Sequence, residues 1–150
     1  MSIFPAKILL ATDGSEEATL AATTAADLAN KTRSELHVVY ARSMPMVVGY
    51  SAAEPLGTSP VDEEEVRERA QRFLDEQVER IKAEGATVAH AHLRWGRPDR
   101  EIAHLAEEID SGLIVMGSRG LGGMRRALMG SVSTSVVHHA HCPVLVVRKE

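Results

Sequence analysis

The chain has 150 residues, which is enough for one hydrophobic core and too few for two. Hydrophobic residues make up 44% and charged residues 25%, a composition typical of a folded globular domain rather than a disordered segment. A net charge of −4 gives no electrostatic basis for binding nucleic acid or an anionic membrane surface. Aromatic residues make up only 3%, so we expect an aliphatic core.

The sequence contains no apolar stretch long enough to span a bilayer, and its N-terminus has no signal-peptide h-region. We therefore expect a cytoplasmic protein with no membrane partner. Cys142 is the single cysteine and cannot form an internal disulfide, which is compatible with a reducing compartment. Because there is no internal repeat and no linker, we expect one domain over residues 1–150.

The first elements of the chain form a βαβ pattern. Lys7 to Thr12 and Leu36 to Ala41 are short apolar runs typical of buried strands. Between them, Ser15 can cap a helix that begins at Glu16, with acidic residues in its first turn. One face of this helix carries only alanines, namely Ala18, Ala21, Ala22, Ala25 and Ala29. Short connections between these elements predict parallel strands and a right-handed crossover.

The same alternation continues along the chain. Ser43 to Pro60 is rich in proline and glycine and predicts a long loop. The predicted elements that follow are a helix from Asp62 to about Glu84, a strand from Thr87 to Trp95, a helix after Pro98, a strand from Leu113 to Met116, a helix from Ser131 and a strand from Val144 to Val147. The polar face of the third strand indicates a sheet edge. The chain is therefore predicted to be a doubly wound α/β domain with strand order 3-2-1-4-5.

A glycine-rich segment, GSRGLGGMRRALMGS at residues 117–131, joins the fourth strand to the last helix. Glycines let backbone N–H groups approach a ligand closely, and the helix start at Ser131 adds unsatisfied N–H donors and a positive dipole end. Arg119, Arg125 and Arg126 favour an anion. These features predict a phosphate site, although a flexible surface loop followed by a capped helix has the same glycine content.

The predicted topology brings this segment close to the end of the first strand. Asp13 follows strand 1 and Gly117 follows strand 4, and the strand order reverses between these two strands. Ligands of open α/β sheets bind at the carboxyl ends of the strands beside such a switch point. Asp13 therefore has two interpretations. In the functional one it accepts hydrogen bonds from ribose hydroxyls or binds a phosphate-bound cation. In the structural one it caps the next helix.

Gly117, Gly120, Gly130 and Ser131 follow the spacing glycine, two residues, glycine, nine residues, glycine-serine. This pattern resembles the nucleotide-binding signature of the universal stress protein family in its ATP-binding branch. The resemblance extends over almost the whole chain. It implies an adenine nucleotide alpha hydrolase-like fold, ATP as the ligand with Mg²⁺ or Mn²⁺ on its phosphates, and a homodimer formed through the strand Val144 to Val147.

The resemblance also implies a set of nucleotide-binding residues. At the adenosine end these are Thr12, Asp13 and the backbone of Ala41. At the phosphate end they are Met116, Gly117, Arg119, Gly120, Gly130, Ser131, Val132 and Ser133.

Motifs for fast catalysis are missing from the sequence. It has no G-x-x-x-x-G-K-[ST], no G-x-S-x-G elbow, and neither the SGGxDS nor the HxGH motif of adenylating enzymes. We therefore expect a nucleotide-sensing protein of the stress response without catalytic residues or rapid turnover. A slow ATPase or nucleotide-transferring enzyme is one alternative, and a structural protein with an empty crevice is another.

Histidines raise the question of a metal site. His138, His139, His141 and Cys142 are close in sequence, but their spacing is poor for a shared metal ion, so we expect none. His90 and His92 lie on one face of the predicted edge strand, where exposure to water explains them. His37 lies in a buried strand pattern and is expected to pack or to form hydrogen bonds.

Overall fold

A computed structural model describes residues 4–45, 62–119 and 129–149. Strands and helices alternate along these residues: β1 is Lys7–Ala11, α1 Glu16–Thr32, β2 Glu35–Arg42, α2 Glu63–Ala83, β3 Val88–Trp95, α3 Pro98–Glu108, β4 Leu113–Gly117, α4 Ser131–His139 and β5 Val144–Val147. The strands pair in parallel in the order β3-β2-β1-β4-β5, which confirms the predicted topology. The predicted loop from Ser43 to Pro60 lies outside the described residues beyond position 45.

Helices cover both faces of the sheet, and the alternation of side chains along β1 divides the core in two. Ile8 and Leu10 pack with residues of α1 and α2 on one face. Leu9 and Ala11 pack with residues of α3 and α4 on the other. Because successive strand residues point to opposite faces, a central parallel strand must be apolar at every position. This explains the uninterrupted run of apolar residues from Ile8 to Ala11.

Helix α1 forms as its sequence predicts. The Ser15 hydroxyl accepts a hydrogen bond from the Ala18 N–H at 3.1 Å and caps the helix, which begins at Glu16. Ala21 and Ala25 are fully buried against the sheet. Small side chains on this face allow the helix backbone to lie close to β4, and this close approach determines the geometry of the candidate site.

Helix α2 packs on β3 and β2, on the same side of the sheet as α1. Asp62 caps it by accepting hydrogen bonds from two backbone N–H groups of its first turn, and Gly85 follows the last turn with a φ of +95°. The Phe73 ring packs against Tyr40 of β2, and its edge lies 3.0 Å from the position of a Cβ added at Gly14. Gly14 itself has a φ of +85°, so the β1–α1 turn favours glycine for two reasons.

The two sheet edges are β3 and β5. The alternating polar pattern of β3 predicts an edge strand, and its position beside β2 alone confirms this. Strand β5 pairs with β4 on one side, and Leu145 is among the more exposed large apolar side chains. Within the described ranges, no helix is long and apolar enough to cross a membrane.

Candidate functional site

Three segments meet at the carboxyl ends of β1 and β4: the β1–α1 turn, the residues that follow β4, and the start of α4. The Ser15 hydroxyl lies 3.5 Å from the Arg119 carbonyl oxygen and donates to it. The Gly130 N–H and the Ser133 hydroxyl both donate to the Ser118 carbonyl oxygen at 2.6 Å. Parts of the sequence that are more than a hundred residues apart are therefore joined at the switch point between β1 and β4.

Gly117 and Gly130 are required by packing within the protein. A Cβ added at Gly117 would lie 2.9 Å from the backbone carbonyl carbon of Glu17, closer than real Cβ contacts allow. At Gly130, an added Cβ would lie 3.2 Å from the Ser118 carbonyl oxygen and 3.3 Å from the Arg119 Cα. The sequence suggests that these glycines make room for a ligand. Their side-chain positions instead face neighbouring backbone, so a bulky residue at either position would also disturb the fold.

The sequence of the last helix predicts Ser131 as its N-cap, and the structure shows that this prediction is wrong. Ser131 is the first helical residue, and Gly130, in an extended conformation, is the N-cap. Gly130 has no side chain, so α4 lacks a side-chain cap. Ser131 is exposed at this helix end, while Val132 is partly buried against the core. The helix end therefore presents the positive pole of its dipole beside the residues that follow β4.

Ser133 is buried, and its hydroxyl is already occupied. It donates to the Ser118 carbonyl oxygen and also lies 3.1 Å from the carbonyl oxygen of Gly130. The side chain thus ties α4 to the segment that follows β4. Its inclusion in the nucleotide-binding set stays a prediction, and only its backbone N–H is compatible with a phosphate contact.

Thr12 and Asp13 occupy the opposite side of the candidate site. The Thr12 N–H donates to the Val39 carbonyl oxygen at 3.0 Å, and the residue is buried. One Asp13 carboxylate oxygen accepts the Ser15 N–H at 2.9 Å. Ser15, and not Asp13, caps α1, so the capping interpretation of Asp13 is wrong. Asp13 instead shapes the turn.

Ala41 and Met116 are buried in the core on the α3 and α4 face of the sheet. Their side chains pack against that core, so any contact with a nucleotide would come from the backbone at the strand ends. Gly120, Arg125 and Arg126 lie outside the described residues. That these three residues lie close to a phosphate stays a prediction.

Glu17 is a buried residue of this site that the sequence reasoning missed. Its carboxylate accepts hydrogen bonds from the Ser118 hydroxyl, from the Arg119 N–H at 3.1 Å and from the Arg119 guanidinium at 2.9 Å. Burial raises the pKa of Glu17, but these hydrogen bonds and the positive charge of Arg119 outweigh it, and the pKa is lowered overall. The Arg119 guanidinium therefore pairs with a carboxylate inside the protein.

Helical periodicity could have identified Glu17. It lies four residues before Ala21 and one before Ala18, on the side of α1 that faces the sheet. A glutamate in a first helical turn is commonly explained by the helix dipole, so its residue type alone does not indicate an inward position. A charged residue in phase with buried alanines predicts a buried partner, which here is Arg119.

A second buried carboxylate joins α3 to α4. Asp99 accepts hydrogen bonds from the Ser135 hydroxyl at 2.7 Å and from the Arg97 guanidinium at 2.9 Å. Burial raises the pKa of Asp99, and the hydrogen bonds from Ser135 and Arg97 lower it by more, so the net shift is downward. The hydrogen bond between Ser135 and Asp99 joins the middle turn of α4 to the first turn of α3.

Two of the histidines, His37 and His139, form hydrogen bonds at separate places in the fold. Buried His37 bonds through one ring nitrogen to Glu35 at 2.6 Å and through the other to His92 at 3.0 Å, in agreement with the hydrogen-bonding role expected for it. His139 bonds to the Ser135 carbonyl oxygen at 2.8 Å. In the described parts of the chain, no three or more His, Cys, Asp or Glu residues are arranged to hold a metal ion.

Comparisons with known proteins agree with the fold. A sequence model of the universal stress protein family matches residues 6–148. A universal stress protein of Methanocaldococcus jannaschii is 36% identical over 143 residues, which cover 95% of this chain and 82% of that protein. The structure of universal stress protein UspA from Lactobacillus plantarum superposes with a TM-score of 0.77 at 24% identity and covers 98% of this chain and 100% of that chain. The universal stress protein of Archaeoglobus fulgidus in complex with dAMP superposes with a TM-score of 0.63 at 25% identity, covering 97% and 99%.

Proposed function

Since the chain belongs to the universal stress protein family, we propose that it is an ATP-binding regulatory protein whose nucleotide lies between the ends of β1 and β4. Its role is to hold the nucleotide and to report its presence to a partner in the stress response. We place this activity in the cytoplasm, as composition and sequence suggest.

One observation carries the proposal: the contact between the α4 N-terminus and the residues that follow β4, directly opposite the β1–α1 turn. The Gly130 N–H bonds to the Ser118 carbonyl oxygen, and Ser15 bonds to Arg119. A helix N-terminus without a side-chain cap attracts phosphate through its N–H groups and its dipole. Asp13, at the end of β1, fits a ribose hydroxyl or a phosphate-bound Mg²⁺ or Mn²⁺.

Adenine as the base is supported by the relative from Archaeoglobus fulgidus, whose structure is in complex with dAMP. We propose ATP rather than a monophosphate because the spacing of Gly117, Gly120, Gly130 and Ser131 resembles the signature of the ATP-binding branch of the family. In this proposal the backbones of Ala41 and Thr12 meet the adenosine end. The phosphates lie against Gly117, Gly120 and the start of α4.

The proposal assigns binding without rapid turnover. The Glu17 carboxylate, which could otherwise orient a water molecule, accepts hydrogen bonds from Ser118 and Arg119. A carboxylate tied in this way is a poor general base. A radiolabelled ATP turnover assay distinguishes the alternatives, because many turnovers per minute would establish a catalytic ATPase or transferase instead.

Replacing Ser131 by Asp tests the nucleotide site without disturbing its packing. Ser131 is exposed at the first position of α4, where an acidic side chain stabilises the helix by about 0.3–1 kcal/mol but repels phosphate. Calorimetric titration with ATP and Mg²⁺ should therefore show binding to the wild type, and at least about tenfold weaker binding to Ser131→Asp, equivalent to about 1.4 kcal/mol. Ser131→Asn, similar in size but neutral, is the control and should bind ATP nearly as the wild type does.

The affinities of the wild type and of Ser131→Asp decide whether the phosphates lie at the start of α4. Loss of binding in Ser131→Asp with an unchanged or raised melting temperature supports the site. Equal affinity of Ser131→Asp and the wild type would place the phosphates elsewhere, and no binding by the wild type would leave the crevice empty.

We also propose a homodimer formed through β5. An edge strand exposes unpaired backbone groups that favour pairing with a second copy, and Leu145 on this strand is 36% exposed. Sedimentation at micromolar concentration should give about twice the chain mass of 16.3 kDa. Leu145→Lys should shift the population towards the monomer, and a wild type that sediments only as a monomer would refute the dimer.

A further inference from the structure

Residues 118 and 119, at the start of the glycine-rich segment, are held from both faces of the sheet. On the α1 face, the Glu17 carboxylate accepts hydrogen bonds from the Ser118 hydroxyl and, at 3.1 Å, from the Arg119 N–H. On the α4 face, the Gly130 N–H donates to the Ser118 carbonyl oxygen at 2.6 Å. The charge of Glu17 is therefore built into the segment that is proposed to bind phosphate.

The Glu17 carboxylate uses its acceptor positions within the protein. Its Oε2 accepts from the Ser118 hydroxyl and the Arg119 N–H, and its Oε1 accepts from Nε and Nη2 of the Arg119 guanidinium at 3.2 and 2.9 Å. Two carboxylate oxygens offer about four acceptor positions. The Glu17 side chain is 7% exposed and the Arg119 side chain 26%. Because a buried charge is costly without a partner, the guanidinium is the partner that this carboxylate needs.

A single residue, Ser118, separates the Glu17 carboxylate from the N-terminus of α4. Its hydroxyl bonds to the carboxylate, and its carbonyl oxygen bonds to the N–H of Gly130, the N-cap. Two hydrogen bonds and one residue span roughly 10 Å at most, which is about one Debye length, and a buried charge is screened less than an exposed one. An uncompensated negative charge at Glu17 would oppose the positive pole of α4 and repel a polyphosphate bound to it.

We propose that Arg119 serves the nucleotide site by neutralising Glu17, and that its guanidinium does not bind a phosphate. Arg119 is then a positioning residue that acts through Glu17, because the neutral pair allows a polyphosphate to lie close to a buried carboxylate. This role rests on the proposed ATP site and narrows the set of residues that contact the phosphates there. A phosphate ligand contributes to the affinity whatever residue 17 is, whereas a neutralising residue matters only while residue 17 is charged.

A double-mutant cycle distinguishes these two roles. Calorimetric titration with ATP and Mg²⁺ compares the full-length wild type, Arg119→Gln, Glu17→Gln and the variant with both substitutions. Arg119→Gln leaves the Glu17 charge uncompensated and should bind ATP at least about tenfold more weakly than the wild type. Glu17→Gln should bind ATP at least as tightly as the wild type. The double variant carries neither charge, so its affinity should recover to within about threefold of the wild type.

Two further variants test whether charge is the cause. Arg119→Lys keeps a positive charge beside Glu17 and should bind ATP within about threefold of the wild type, and equal losses in Arg119→Lys and Arg119→Gln would show that charge is not the cause. Lys149→Gln is the matched control, since it removes the partner of Glu16 in the same helical turn, but this ion pair is exposed. Because water screens such a pair, the ATP affinity of Lys149→Gln should change by less than about threefold. Melting temperatures establish that each variant is folded during the titration.

Neutralisation by Arg119 is refuted if the double variant binds ATP as weakly as Arg119→Gln, because the guanidinium would then contact phosphate directly. It is also refuted if Arg119→Gln keeps the wild-type affinity. If Arg119→Gln does not fold, the folded double variant still decides, since weak binding there is expected only of a direct ligand. A wild type that does not bind ATP removes the proposed function and this role together, whereas a wild type that binds, without recovery in the double variant, removes this role alone.

Discussion

The Glu17 carboxylate and Arg119 are joined by a backbone and a side-chain interaction, although they are 102 residues apart in sequence. Glu17 lies in the first turn of α1, and Arg119 is the second residue after β4. Their contact requires α1 to approach β4 closely, which Gly117 and the alanine face of α1 allow. The pair therefore fixes the geometry of the segment that we propose binds phosphate.

Glu17→Gln should destabilise the protein. The amide is uncharged and has one acceptor oxygen in place of two, so it cannot accept from both the Ser118 hydroxyl and the Arg119 guanidinium. Loss of hydrogen bonds to a buried charged group costs about 1.5–3 kcal/mol. Urea unfolding at neutral pH measures the difference. Glu16→Gln, which removes an exposed ion pair with Lys149, is the control and should change the free energy of unfolding by less than about 1 kcal/mol. Equal effects of the two substitutions would mean that the buried pair is energetically unimportant.

Stability should fall in acid because of the same carboxylate. The folded-state pKa of Glu17 is lowered, so its contribution is present in full above the unfolded value of about 4.3 and is lost as the pH falls through the folded value. The melting temperature of Glu17→Gln should consequently change less than that of the wild type below about pH 4.5. Asp99, whose pKa is also lowered, contributes to both proteins alike. Parallel curves for the two proteins would contradict the assignment.

Ser135→Ala should loosen the attachment of α4 to α3. The substitution removes a donor to the buried Asp99 carboxylate, and such a loss costs about 1–3 kcal/mol. Thr134→Ala, one residue earlier and exposed on the same helix, is the control and should stay within about 0.5 kcal/mol of the wild type. Denaturant midpoints give both values, and a Ser135→Ala midpoint equal to that of the control would exclude a stabilising role for this bond.

His92 should make the fold less stable in weak acid. Burial, followed by electrostatic interactions with His37, Arg94 and His90, lowers the pKa of His92, while Glu108 acts in the opposite direction. The unfolded chain therefore takes up the proton more readily, and stability is lost as the pH falls below the ordinary histidine value of about 6.5.

His92→Gln tests this through the slope of stability against pH. Between about pH 7 and pH 5, its melting temperature should fall less than that of the wild type. His138→Gln, on the exposed side of α4, should keep the wild-type slope. The absolute stability of His92→Gln is not the readout, because the variant also alters the hydrogen bond to His37. An unchanged slope would count against the lowered pKa.

The sequence was sufficient for the fold because each element carries its own local pattern. The continuous apolar run of β1, the alanine face of α1 and the polar face of β3 each reflect a different degree of burial. Short connections and right-handed crossovers predict parallel strands, and the order 3-2-1-4-5 is one of the few that doubly wound domains adopt. The Ser15 and Asp62 caps were likewise predictable, because an N-cap depends on residues adjacent in sequence.

Contacts between distant residues could not be predicted in the same way. Nothing local in the sequence pairs Glu17 with Arg119, or Asp99 with Ser135, because each contact exists only after two helices have packed on the sheet. The packing role of Gly130 could not be predicted for the same reason. Because Gly130 has no side chain, the backbone of residues 118 and 119 can lie against it. The spacing of glycines in the sequence does not reveal this contact.

Backbone amide chemical shifts during an ATP titration test the central claim most directly. The account predicts that the largest changes on adding ATP and Mg²⁺ occur together at Asp13, Gly117, Ser131 and Val132, the residues at the ends of β1 and β4 and at the start of α4. These changes should saturate with one common affinity. Changes confined to other parts of the sheet, or none at these four amides at saturating ATP, would contradict it.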